Sequence, residues 1–458
     1  MNEKRTKSAY PAWKSEGRFL GLSLIVLAIA VWLPSQLYAT EREASLLEAR
    51  ISEKITLSDL ETYALENNPG IQEAHQKWLS VLESRRIVEG YPDPELMVTY
   101  FPKPIETRLG PQDWQVTLSQ KIPYPGKLTT AGKVAQADAK IFRFKLDKMV
   151  KDVVVSVKES FHEIMYIREA VASAEQQAEL LKHLIETTEA AYAQDRVAFV
   201  GVVWAHSRDA ELRKDVVLLE DMETTEVAKL NSLLNRPTDA PIGVLEKPAP
   251  QNATLSLEEM YRLAESHQED IRVAEAQVEK MSAKMSLARY ENRPNFKLGL
   301  FYSAIGNPDG PNRPPNSGDD ALGLQFGVTI PLWSGKNKGR LNKARTAMTA
   351  AKAAKSDKVN KIRSQIRSLY FRLDNLRRIM ELYSNELIPD AEAAIDASET
   401  WFLERKSSFP DFIETQSLWY TYQLALARAQ ADFGKNQARL GRLIGREVKA
   451  IKRLEPTY

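Results

Sequence analysis

The side chains that could do chemistry are few, and their spacing supports none. The five histidines, His75, His162, His183, His206 and His267, are scattered along the chain. His162-Glu163 lacks the second histidine, four residues after the first, that a zinc-protease helix needs to grip the metal from one face. Gly126-Lys127-Leu128-Thr129 only mimics a phosphate loop. Lys121 stands where such a loop needs a glycine, and no Ser or Thr directly follows Lys127. There is no Gly-x-Ser-x-Gly elbow to expose a nucleophilic serine. The chain has no cysteine, which removes disulfides, thiolate metal sites, catalytic thiols and a lipidated N-terminal cysteine. Its ten methionines do not cluster, so they read as helix filler rather than a chain of soft metal ligands. No catalytic, cofactor-binding or metal-ligating set is assigned. Nucleotide hydrolysis or proton coupling has to come from a partner.

What the chain has instead is repetition. Thr56-Leu57 with Leu60, Ala64, Ile71 and Ala74 returns about 200 residues later as Ser256-Leu257 with Met260, Ala264, Ile271 and Ala274. Pro94 returns as Pro294, and Ile122-Pro123 with Gly126-Lys127 returns as Ile330-Pro331 with Gly335-Lys336. Leu230, Leu233, Leu234 and Arg236 return as Leu440, Leu443, Ile444 and Arg446. A nearly fixed offset kept through anchors of different chemistry marks an internal duplication. The expected organisation is a signal peptide over 1–39, a first repeat over 40–250, a second over 251–447 and a tail over 448–458. Neither half is expected to hold a compact core by itself, so the fold should come from packing the copies together.

Composition narrows the class. A mean hydropathy of -0.39 over 458 residues excludes a polytopic helical membrane protein. The net charge of +2, with both signs interspersed, gives no footprint for nucleic acid. At the N-terminus Lys4, Arg5, Lys7, Lys14 and Arg18 precede an uncharged apolar run, Phe19 to Leu33. Pro34 then breaks the run, and Leu37-Tyr38-Ala39 offers a cleavage site before Thr40. At about 15 residues the run falls short of the roughly 20 that cross a bilayer as a helix. Export is the reading; an uncleaved anchor is its competitor.

Each repeat joins long helices to two strands. Lys133 to Val200 contains neither Gly nor Pro and is rich in Ala, Glu, Lys, Gln and Leu. Val150, Val154, Val157, Phe161 and Ile164 alternate at four and three, the rhythm of a coiled-coil seam. Ile362, Ile366, Leu369, Leu373, Leu376, Met380, Tyr383 and Leu387 keep that rhythm unbroken in the second copy. Period-two alternation marks strands near 95–102, 113–122, 295–303 and 321–330, with apolar residues such as Leu96, Val98 and Tyr100 on one face. Pro102–Asp113 and Ser303–Asp320 read as the loops between them. This is the weak signature of membrane β-strands, with a small soluble β-subdomain as the alternative. Four strands cannot close a barrel, and open sheet edges are not tolerated in lipid. If the strands span a membrane, several chains must share the barrel.

On these residues the chain resembles the TolC-like outer membrane efflux proteins over roughly residues 55 to 447. The motifs that carry the resemblance are Gly90-Tyr-Pro-Asp-Pro94, Thr107-Arg108 with Gly110-Pro111-Gln112, and Ser119-Gln-Lys-Ile-Pro-Tyr-Pro-Gly-Lys-Leu128. Gly323-Leu-Gln-Phe-Gly-Val-Thr-Ile-Pro-Leu-Trp333 and Leu341-x-x-Ala344 belong to it in the second copy. It is most similar to members that accompany metal-exporting pumps of the resistance-nodulation-division class.

The resemblance implies a mainly α protein with a small β part, built as a duplicated helix–strand–strand–helix repeat. Three copies would form a long coiled-coil α-barrel in the periplasm and a shared twelve-stranded β-barrel among outer membrane lipids. Such a homotrimer is a passive exit duct that docks on a periplasmic adaptor and an inner-membrane pump, and it needs no cofactor. The helix-to-helix tips fall near 194–197 and 404–407, making Asp195, Arg196, Arg405 and Lys406 the implied adaptor contacts. Many members place a Gly three residues after an aromatic at these tips; here Asp195 and Arg405 follow Tyr192 and Phe402. Asp411 and Glu414 match the acidic residues that ring the tunnel's narrow end, while the first copy has Gly201 and Trp204 there. The competing class is a periplasmic coiled-coil adaptor or scaffold without a channel. The pump would choose the cargo, so the residues do not identify it.

Overall fold

The structure is a computed structural model that describes residues 48, 50–194, 199–247, 255–310, 314–404 and 409–445. The expected signal peptide, the residues 195, 196, 405 and 406 at the tips and the C-terminal tail lie outside the described residues.

Short helices α1 (Leu57–Asn67) and α2 (Pro69–Glu89) lead into strands β2 (Glu95–Thr107) and β3 (Gly110–Ile122). The long helix α3 (Lys127–Tyr192) and its return α4 (Phe199–Leu234) follow. The same order recurs as α5 (Leu257–His267), α6 (Glu269–Glu291), β5 (Asn295–Ile305), β6 (Ala321–Thr329), α7 (Ser334–Leu382), α8 (Ile388–Leu403) and α9 (Phe409–Leu443). A two-residue parallel ladder, β1 (Lys54–Ile55) with β4 (Val244–Leu245), ties the start of the first series to its end.

Local signals set the joints. The Thr56 hydroxyl accepts from the Asp59 amide at the start of α1, and Ser256 with Glu259 forms a full capping box at the start of α5. Asn68 ends α1 and caps α2, its side chain accepting from the Ile71 amide at 3.2 Å, ahead of Pro69 in the first helical turn. Gln268 does the same for α6, accepting from the Ile271 amide at 3.0 Å. The two kinks are therefore made by equivalent residues with different side chains. The 66 residues of α3 at 1.5 Å each give a rod of about 100 Å.

Each series has its own buried cluster, contrary to the expectation that neither half holds one. The first unites Ile55, Leu60, Ile71, Val157, Phe161, Ile164, Leu230 and Leu234; the second unites Met260, Ala264, Ile271, Ile362, Ile366, Leu440 and Ile444. The short helices fold back over the middle of the long ones, and that third layer supplies the depth a helix pair lacks. A third cluster, with Ala174, Leu181, Ala205, Leu212, Ile413 and Tyr420, does join the halves toward the tips.

The seam predicted along α3 is buried at Val154, Val157, Phe161 and Ile164. The seam on α7 is interrupted. A π-helical turn at Tyr383–Leu387 inserts one residue into the spiral, and the buried face moves to Ile388 and Ala391. A strict four-three pattern cannot show such a slip, because Tyr383 and Leu387 still fit it.

Charges zip α3 to α9 as the two run antiparallel. Asp152 pairs with Arg442, Glu159 with Arg439 at 2.6 Å, and Glu163 with both Lys435 and, at 2.7 Å, Arg428. Burial pushes the Glu163 carboxyl up, but hydrogen bonds from Lys435 and Arg428 outweigh it and hold the group below its ordinary range. Lys148 and Lys151 of α3 similarly reach Asp270 (2.7 Å) and the buried Glu269 in the first turn of α6. Those carboxylates also sit where the helix dipole favours negative charge.

Candidate functional site

The four long strands form one antiparallel sheet in the order β2-β3-β5-β6. Its strands exceed the expected ones on the far side of the first hairpin. Residues 102–107 and 110–113 are strand rather than loop, and the chain reverses through Arg108-Leu109 alone. A bulge between Tyr100 and Ile105 absorbs Pro102 and Pro104, the residues that made this stretch read as a loop. Gly110 closes the turn at φ 138°, where a Cβ would lie 1.8 Å from the Gly306 carbonyl oxygen. The longer second loop folds over this tip, its Gly318 amide donating to the Leu109 carbonyl at 2.8 Å.

Register sorts the side chains. Leu96, Leu118, Leu300 and Leu324 line up across all four strands, as do Val98, Val116, Tyr302 and Leu322. Trp114 and Tyr302 add a ring contact at 5.5 Å, and Phe296 stacks with Phe326 at 6.3 Å. This face is apolar and bare: Leu324 is 87% exposed, Leu322 71% and Tyr100 70%. The opposite face carries Thr99, Gln115 and Ser303 in one row and Glu95, Ser119 and Gln325 in another. Near the helical end Glu95 of β2 pairs with Lys121 of β3 and, at 3.3 Å, with Lys297 of β5. Phe301, which shares a row of this face with Met97 and Thr117, lies over Gly323, where a Cβ would come within 2.3 Å of the ring. A sheet with an exposed hydrophobic side and a hydrogen-bonding side separates oil from water. β2 and β6 end it, each paired on one side only.

Among the described residues no helix is long and apolar enough to cross a membrane, and no group of three or more His, Asp or Glu is placed to hold a metal ion.

At the other end of the molecule, α3 stops at Tyr192 and α4 begins at Phe199, with the two rings 5.6 Å apart. On α9, Phe412 and Ile413 are buried at 2% and 1%, while Asp411 and Glu414 are exposed. The helix thus turns both carboxylates away from the seam that its apolar residues fill. Trp204, in the corresponding place on α4, is also exposed, and Gly201 is buried. The structure does not bring Asp411 or Glu414 near the sheet.

Two sets of residues were not singled out from the sequence. The Glu95–Lys121–Lys297 cluster was legible in principle, since all three have the strand parity of the polar face. The α3–α9 ladder also had a signal. Its acids fall at 152, 159 and 163 and its bases at 428, 435, 439 and 442, both in steps of seven, four or three.

The outer membrane efflux protein family model matches residues 260–446. No curated protein matches the chain. Among solved structures the chain is similar to the channel CusC, at 14% identity and a TM-score of 0.71, over 85% of this chain and 92% of that one. It is similar to the outer membrane protein VceC of Vibrio cholerae at 15% identity and a TM-score of 0.71, over 85% and 96% of the two chains. The open-state MtrE outer membrane channel of Neisseria gonorrhoeae gives 17% identity and a TM-score of 0.69, over 85% and 88%. These likenesses establish the fold, and the second half of the chain, residues 260–446, matches the outer membrane efflux protein family.

Proposed function

We propose that this chain is the outer membrane exit duct of a tripartite efflux system. Three copies would contribute four strands each to a closed twelve-stranded barrel, with the apolar face toward lipid and the Glu95–Lys121–Lys297 face toward a water-filled lumen. The helices then extend into the periplasm as a tunnel. The observation that carries this reading is the open sheet, apolar on one side, polar on the other and unpaired at both edges. Backbone edges and water-exposed apolar faces are both costly, and closure within a bilayer relieves both. Conduction is passive, so the energy for export comes from an inner-membrane pump coupled through a periplasmic adaptor that meets the helical tips, Asp195, Arg196, Arg405 and Lys406. Asp411 and Glu414 serve as the periplasmic aperture. The resemblance to members that accompany metal-exporting pumps makes metal cations one candidate cargo, with the choice left to the pump.

The test is purification from outer membranes followed by native mass measurement and planar-bilayer recording. A detergent-extracted trimer that conducts ions is expected. A soluble, non-conducting protein after removal of residues 1–39 would favour a periplasmic scaffold and overturn the duct.

A further inference from the structure

The edges of the sheet specify how one copy meets the next. We propose that β6 of one copy pairs antiparallel with β2 of a second copy, with Ile330 opposite Leu96, Val328 opposite Val98 and Phe326 opposite Tyr100. This rests on the shared-barrel reading and adds to it a residue-level seam.

The argument starts from the junction between the two hairpins inside the chain. There β3 meets β5, with Ile122 opposite Phe296, Gln120 opposite Leu298 and Leu118 opposite Leu300. β3 runs out at Ile122-Pro123, and β6 runs out toward the matching Ile330-Pro331; β2 and β5 each begin just after a matching proline, Pro94 and Pro294. A junction between copies again joins the last strand of one hairpin to the first strand of another. Carrying the β3–β5 register across these anchors puts Ile330 against the second residue after Pro94, which is Leu96. The other pairs follow.

Three observations support that register. Leu96, Val98, Tyr100, Phe326 and Val328 lie on the exposed apolar face, and Ile330, just past the end of β6, has the same parity and is exposed. The seam therefore extends the lipid-facing surface without a break; a shift by one residue would turn one strand inside out. The two hairpins differ from each other by two residues, Leu96 facing Leu118 but Phe296 facing Val328, so shifts by two are the real competitors. Setting Leu324 against Tyr100 would put Phe101 opposite Gly323, whose open space the Phe301 ring already fills. The opposite shift would place Phe326 against Pro102 and draw Leu332 into the ladder past Pro331, beyond the end of β6 at Thr329. In the proposed register, Phe326 and Tyr100 form a cross-strand aromatic pair at the last position before Phe101-Pro102.

The chain has no cysteine, so introduced pairs report without background. Val98→Cys with Val328→Cys, and Tyr100→Cys with Phe326→Cys, are oxidised in outer membranes and run without reductant. The shifted pairs Val98→Cys with Phe326→Cys and Tyr100→Cys with Val328→Cys serve as competitors. Covalent dimers and trimers from the first two variants, at least severalfold above the shifted pairs, are expected. Crosslinks favouring a shifted pair overturn this register while the shared barrel stands. A trimer by native mass with no crosslink from any pair overturns the β6–β2 seam. A cysteine-free chain that is monomeric by native mass removes the shared-barrel reading and the seam with it.

Discussion

The ring of His162 on α3 lies directly over Gly434 on α9. A Cβ at position 434 would come within 2.4 Å of the His162 Cε1 and Nε2 atoms, so the two helices approach this closely only because one residue has no side chain. Glycine inside a helix normally costs about 1 kcal/mol relative to alanine, so Gly434→Ala ought to stabilise on propensity alone. Here overpacking decides the sign. Gly434→Ala should lower stability by about 1–3 kcal/mol, read as a reduced melting temperature. Adding His162→Ala should remove most of that penalty; a penalty that persists would mean the contact is not its cause.

His162 also predicts a pH dependence. Burial, with Lys435 and Lys158 nearby, lowers its pKa from 6.5 to about 4. Between those values the unfolded chain holds a proton here that the folded chain does not. Stability therefore falls as pH drops through this window, by up to about 3 kcal/mol below pH 4. Replacing His162 with Gln should flatten the acid limb of a stability-against-pH curve between pH 6.5 and 4. An unchanged slope would show that other groups set it.

The Glu163 carboxylate holds two cations of α9, one of them, Lys435, only 9% exposed at its side chain. Glu163→Gln should destabilise by about 1–2 kcal/mol, because the poorly exposed Lys435 keeps its charge and is left with Asp432, at 3.0 Å, as its carboxylate partner. Arg439→Ala removes a more exposed pair and should cost under about 1 kcal/mol. Denaturant midpoints for the two variants check the ranking.

At the proposed aperture, three copies would bring Asp411 and Glu414 around one axis. Carboxylates held that close favour cations and attract multivalent ones. Replacing both with Ala should reduce cation selectivity and divalent block in single-channel recordings. Unchanged selectivity, conductance and block would return the pair to an ordinary solvated helix face.

Orientation is tested at Gly310, where a Cβ has nothing within 4 Å. In the proposed topology an epitope tag inserted there binds antibody on intact cells. Labelling only after the outer membrane is opened would reverse the assignment.

Much of the fold was legible because its signals are periodic. The heptad steps from Val154 to Ile164 and the alternation through Leu96, Val98 and Tyr100 each require only nearest neighbours along the chain. What stayed hidden depends on contacts distant in sequence. Pro102 and Pro104 read as a loop because nothing local shows that a bulge will accommodate them. The π-turn at Tyr383 is invisible to a rhythm it does not disturb. The separate cores arise because α1 and α5 fold back onto helices about a hundred residues away. Asp411 and Glu414 came from family resemblance, and their exposure beside Phe412 and Ile413 is all that the fold adds.

The unpaired edges of the sheet have a genetic consequence. If every barrel needs three intact copies, a variant that keeps β2 and β6 but spoils the tunnel will still enter assemblies. At equal expression about one assembly in eight would be free of it, given random mixing of subunits in a closed ring. Damage in the helices should therefore be dominant. Damage that abolishes an edge should be recessive, since such a chain excludes itself.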